Sequence, residues 1–215
     1  MPRTALCLVL FVVHTTCYSQ DKNANVVIVL GPASDEVSRF SWKAIRDTNV
    51  VKQQFDFSCG AASLATILTH FFNHPVTELE ILELLEVNDN AASFSDLKNV
   101  AELHFGIKAI GLVVNFDSLL KLKVPAIAHL VIGGIEHFSV IRGIDSEGNV
   151  WLADPAFGNR FLTKPQFLSI WIDDDYSVSG KLLILVPTGS TTTNKEYFAR
   201  ENLSSRRWSR SRSYP

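Results

Sequence analysis

Val51-Lys52-Gln53-Gln54-Phe55-Asp56-Phe57-Ser58-Cys59-Gly60-Ala61-Ala62-Ser63-Leu64 changes character halfway along. Val50 and Val51 lead extended chain to a turn at Ser58-Cys59-Gly60. Beyond it, Leu64, Ile67, Leu68 and Phe71 recur at i, i+3, i+4 and i+7, the period of one helix face. Ser58 suits the N-cap, which puts Cys59 in the first helical turn. There the unpaired backbone N–H groups and the helix dipole favour a thiolate. Gly60, with no side chain, leaves room for a substrate backbone to approach.

Downstream, Thr77 with Glu80 reads as a capping box opening a second helix that runs to about Glu86. A third helix is predicted from Ser95 to Phe105, with Leu97, Val100, Ala101 and Phe105 on one face and Gly106 as its stop. The pattern then shortens. Ile107–Val114, Ala126–Val131, His137–Ile144, Val150–Ala153 and Lys181–Val186 read as strands. Gly133-Gly134 and Ser146-Glu147-Gly148-Asn149 suit hairpin turns. Helices first and antiparallel strands afterwards imply an α+β domain over residues 50–187.

Upstream, residues 20–49 form an extension in which Val26–Leu30, bounded by Gly31-Pro32, reads as an isolated strand; Ala33–Thr48 has no decisive period. Residues 1–19 read as a secretory signal: Arg3, an apolar Ala5–Val13 run too short to span a bilayer, and small residues at Cys17 and Ser19. Cleavage after Ser19 removes Cys7 and Cys17, so the exported chain carries Cys59 as its one thiol and can form no internal disulfide. The expected location is the periplasm, with secretion as the second choice and no permanent membrane anchor. From Thr188 to Pro215, Ser, Thr, Asn and Arg dominate, which predicts a mobile tail. With 215 residues, 47% of them hydrophobic, the chain can bury a core, and a net charge of −2 gives no global attraction to nucleic acid.

A lone exported cysteine is either inert packing or a reagent, and a reagent needs a base. His70 and His74 are four apart, but no acidic or cysteine cluster completes a metal site there. His104 lies at a helix end and reads as solvated or a cap, and His129 sits inside an apolar run and reads as a core histidine. His137 differs because it follows a Gly-Gly turn and opens a strand, where sites usually form. Asp154 ends the next strand, and in an antiparallel hairpin it neighbours the start of the previous one, placing it to orient His137 and stabilise an imidazolium. Acyl transfer also needs donors for the developing oxyanion. The Cys59 N–H is one, and Gln53 in the extended segment is the natural side-chain amide; Gln54 points to the opposite face.

These residues together resemble a known family. Val51–Leu64 resembles the active-site signature of the bacteriocin-processing, double-glycine leader cysteine peptidases. His137-Phe138-Ser139-Val140-Ile141 resembles their histidine motif and Asp154-Pro155-Ala156-Phe157-Gly158 their Asp-Pro motif. Phe167 and Trp171 resemble their closing segment. The resemblance implies a papain-like fold, Cys59 as nucleophile, His137 as base, Asp154 as its orienter, Gln53 as oxyanion donor, and no metal or organic cofactor. Ser58 stands where the family often has aspartate. A signal segment with no transporter domain after it is similar to stand-alone members found with functional-amyloid or adhesin secretion systems. The implied partner is a secreted polypeptide, cut after Gly-Gly or another small-residue site, with components of such a secretion system nearby. The alternatives are a docking module that binds an export substrate without cutting, whose usual mark is a lost cysteine, and a cell-wall amidase on a similar fold.

Overall fold

The computed structural model describes residues 26–27, 38–39, 41–85, 91–172, 178–187, 189 and 191–198. The expected signal segment and most of the extension lie outside the described residues. The chain divides into two units, up to Ala44 and from Ile45 onward. In the first, β1 (Val26–Val27) pairs antiparallel with β2 (Ser38–Arg39), so the expected strand at Val26 is not isolated. A short helix, α1 (Trp42–Arg46), follows in the stretch whose period was undecided.

The second unit is α+β in the expected order. Three helices, α2 (Cys59–His70), α3 (Glu78–Leu85) and α4 (Phe94–Phe105), come first. Then come β3 (Lys108–Asn115), the single turn α5 (Phe116–Leu119), β4 (Ala126–Ile132), β5 (Ile135–Ile144), β6 (Val150–Asp154), β7 (Gly158–Leu162), α6 (Lys164–Trp171) and β8 (Ser179–Val186). The six strands form one antiparallel sheet in the order β3-β8-β4-β5-β6-β7. Strand β7 was not anticipated; it returns from the Asp154-Pro155 turn to pair with β6.

Strand alternation gives the sheet two apolar faces. Ile127, Val140, Ala153, Leu183 and Leu185 pack with α2, α3 and α4, while Ala128, Leu130, Ile141, Leu152 and Leu182 pack with Phe167 and Trp171 of α6. Helix α2 lies deepest. It is buried on all sides from Cys59 to Leu68 rather than along one stripe, because Gly60, Ala61, Ala62, Ser63 and Ala65 are small enough for neighbours to close over the remaining faces. At Gly60 a Cβ would lie 3.1 Å from the Phe138 ring, so the missing side chain admits β5, not the substrate backbone expected there. The two later helices start where their capping boxes are written: Thr77 exchanges hydrogen bonds with Glu80, and Ser93 with Asp96.

Packed chain also continues past the expected boundary at residue 187. Residues 191–198 return to the domain, where the Asn194 N–H donates to the Phe71 carbonyl at 2.7 Å and Tyr197 and Phe198 are buried. Tyr197 stacks on His70, lies under the Arg142 guanidinium, and donates its hydroxyl to the Asn49 carbonyl. The polar composition had predicted a mobile tail from 188; two aromatic side chains with a place in the core outweigh it over this stretch, and residues 199–215 lie outside the described residues. Tyr197→Ala should therefore destabilise the domain by about 3–5 kcal/mol, the usual range for emptying a buried aromatic site. The urea midpoint measures it, and a change under about 1 kcal/mol would put the segment back among surface extensions.

Candidate active site

Three elements bring the candidate residues together. Cys59 is the first residue of α2, 6% exposed and a free thiol. Ser58 precedes it at the N-cap position but does not cap with its side chain. Its hydroxyl turns back instead, donating to the Phe55 carbonyl at 2.8 Å and accepting from the Phe55 N–H at 3.2 Å. The expected side-chain cap is thus replaced by a closed turn, and the first N–H groups of α2 carry no side-chain cap beside the sulfur. This arrangement suits negative charge at a helix N-terminus.

His137 lies near the start of β5 and Asp154 at the end of β6. Val140 pairs with Ala153, so Asp154 falls one step further along the ladder and His137 is its diagonal neighbour. The imidazole Nε2 lies 3.1 Å from both Asp154 oxygens. A carboxylate on Nε2 holds the proton there and leaves Nδ1 for another partner. Cys59 stands close enough to the same ring to help raise its pKa. The His137–Asp154 contact expected from the hairpin is present.

Asp154 is fully buried. Burial alone would raise its pKa; the bond and charge of His137 and the N–H groups of Phe157 and Ala156, donating to Oδ1 at 3.0 and 2.9 Å, outweigh it and hold the carboxyl below its ordinary range. His137 answers in the opposite sense. Burial pulls it down, but the hydrogen bonds and charges of Asp154 and Cys59 push it up to about 9. The pair is therefore built to carry imidazolium and carboxylate together. Arg160 of β7 stands 3.9 Å from Asp154 Oδ2 with its guanidinium over the Phe157 ring, and Phe157 meets the edge of His137. Arg160 escaped the sequence reading with its strand; an Asp-Pro turn followed by Gly-Asn-Arg-Phe-Leu was the available hairpin signal.

These shifts set a pH dependence of stability. A raised histidine stabilises the fold fully below its ordinary 6.5, and that contribution disappears as pH rises through about 9. The depressed Asp154 contributes above the ordinary carboxylate value and loses its contribution on acidification. A rise from 6.5 to about 9 in His137 corresponds to roughly 3 kcal/mol. Urea midpoints should accordingly fall between pH 6.5 and 9, and Asp154→Asn should flatten that decline. An equally steep decline in the variant would show that other groups drive it.

Gln53 sits in the strand-like approach to α2. Its N–H donates to the Pro155 carbonyl at 3.2 Å, and its side-chain Nε2 donates to the Phe55 carbonyl at 3.0 Å. One amide hydrogen is thus used to fix the side chain. Gln54, on the other face, has an exposed side chain, and its N–H donates to both oxygens of Glu78 at 2.9 and 3.1 Å. Glu78, 1% exposed, had no signal in the sequence beyond its place in the first turn of α3.

The other described histidines have surroundings of their own. His70 stacks on Tyr197 and is pushed down by burial and by Arg142, His74 meets the edge of Phe105, and His104 is exposed. His129 is half-buried, 3.7 Å from Glu136 and against Phe138. Among the described residues no cluster of three or more His, Cys, Asp or Glu could hold a metal ion.

The chain is 34% identical over 143 residues to the probable functional amyloid protease FapD of Pseudomonas fluorescens, a match covering 63% of this chain and 62% of that relative's length. In structure it is similar to a double glycine motif protease from an AMS/PCAT transporter, crystallised with its leader peptide (25% identity, 65% of this chain and 91% of that one, TM-score 0.55). It shares its papain-like fold with the peptidase domain of Streptococcus ComA (21% identity, 65% and 98% coverage, TM-score 0.56). Residues 47–177, which include Gln53, Cys59, His137 and Asp154, match the model of one family, and the chain belongs to it: the peptidase C39 family of cysteine peptidases.

Proposed function

We propose that this chain is an exported cysteine endopeptidase that cuts a secreted polypeptide after Gly-Gly or another small-residue site. The observation that carries the reading is one imidazole bound on its Nε2 side by a buried carboxylate and pushed up in pKa by that carboxylate and by Cys59, the only free cysteine among the described residues. Cys59 Sγ attacks the scissile carbonyl. His137, protonated in the resting pair, gives its Nδ1 proton to the departing amine, and an acyl-thioester remains. Water then attacks the thioester, His137 takes its proton, and the thiolate leaves. Through both steps Asp154 keeps the ring oriented. The Cys59 N–H and the Gln53 side-chain amide receive the oxyanion.

The substrate class is supported by the relatives: a probable functional amyloid protease on one side and a double glycine motif protease with a leader peptide on the other. Export to the periplasm is supported by the signal-like residues 1–19 and by a single retained thiol. The deciding experiment mixes wild type and Cys59→Ala with a peptide carrying a Gly-Gly site and follows fragments by mass spectrometry. Cleavage at that site by wild type alone is expected. Tight binding without cleavage by either protein would replace the peptidase with a docking module.

A further inference from the structure

The segment before Cys59 is pinned by three separate elements. The Val51 N–H donates to Thr66 Oγ1 of α2 at 3.0 Å, the Gln53 N–H to the Pro155 carbonyl beside Asp154 at 3.2 Å, and the Gln54 N–H to the Glu78 carboxylate of α3. The last two bracket the Cα of Gln53, one on its own peptide nitrogen and one on the next. With both flanking peptide planes held, the direction of the Gln53 side chain is set before substrate arrives. A buried carboxylate is costly unless engaged, and a backbone N–H could have been satisfied by an ordinary carbonyl. Here the reach of a long side chain from α3 supplies the acceptor, with both oxygens on the one N–H.

We infer that Glu78 is a positioning residue for the oxyanion site: it holds the Gln53–Gln54 peptide so that the Gln53 amide meets the developing charge. The inference rests on the peptidase reading above and deepens it. Oxyanion donors act only when they already stand where charge will develop, so a displacement of about 1 Å costs on the order of 10²-fold.

The test is a mutant cycle on the full chain, read as turnover of the Gly-Gly peptide and as alkylation of Cys59 by iodoacetamide. Glu78→Leu keeps an apolar side chain of similar bulk and removes the acceptor; its kcat should fall about 10–100-fold, with KM within about threefold. In a Gln53→Ala background the same change should cost no more than about threefold, because the group it positions is gone. Alkylation should stay within about twofold in Glu78→Leu, since displacement of iodide forms no oxyanion. If Glu78→Leu does not fold, two milder variants decide. Glu78→Gln retains a carbonyl acceptor at the right reach and should stay within about threefold of wild type, ahead of Glu78→Asp, which keeps the charge but withdraws it. Equal losses with and without Gln53, alkylation falling alongside turnover, or Glu78→Asp outperforming Glu78→Gln would each overturn the inference. Failure of the underlying reading looks different: the wild type leaves the peptide intact.

Discussion

Alanine at Cys59 or at His137 is expected to remove essentially all peptide cleavage, a loss on the order of 10⁴ or more in kcat, and the double replacement should be no worse than either alone. Nucleophile and base work as one unit, so removing either leaves only binding and the oxyanion donors. The geometry makes His137 hard to replace from elsewhere. Among the other described histidines, His70 is stacked on Tyr197, His104 is exposed on α4, and His74 and His129 meet Phe105 and Phe138. His137→Ala should also slow alkylation of Cys59 at neutral pH, because the sulfur loses the neighbouring base that takes its proton. Because Cys59 and His137 are largely buried, circular dichroism and the urea midpoint of each variant must accompany the kinetics. A folded Cys59→Ala protein that still cuts would refute the enzyme assignment.

Gln53→Ala should cost about 10²–10³ in turnover while leaving alkylation of Cys59 unchanged. The side chain makes no hydrogen bond to His137 or Asp154; its Nε2 is tied to the Phe55 carbonyl, the same oxygen that receives the Ser58 hydroxyl. Its loss therefore removes a donor without disturbing the proton-transfer pair. Single-turnover rates on the Gly-Gly peptide separate the two effects, since a true oxyanion donor lowers the chemical step and barely moves KM. A harmless Gln53→Ala would shift the oxyanion role to backbone N–H groups of α2.

Both expectations were legible before any coordinates, for a reason specific to this chain. Cys59, His137, Asp154 and Gln53 each sit at an element boundary that local chemistry marks: a turn into a period-3.6 helix, a Gly-Gly turn into a strand, an Asp-Pro exit from one, and extended chain before a turn. The β5–β6 hairpin joins two of them by local connection alone, and that is why the His137–Asp154 bond could be expected from spacing. Ser58 misled for the same reason it was noticed. Its identity suits an N-cap, but the closed turn with Phe55 captured its hydroxyl.

What sequence alone determined is the α+β class, the order of three helices and five strands, and the pairing of His137 with Asp154, because periodicity, turn chemistry and hairpin connection act over short separations along the chain. Tertiary structure alone decided which distant groups complete it. Glu78 reaches Gln54 across 24 positions, Asn194 reaches Phe71, and Tyr197 reaches Asn49 across 148. Gly60 lies against Phe138 only because the sheet folds back onto α2. A buried carboxylate or a late aromatic residue leaves no periodic mark, since its partner is selected by packing in three dimensions, after local preferences have been satisfied.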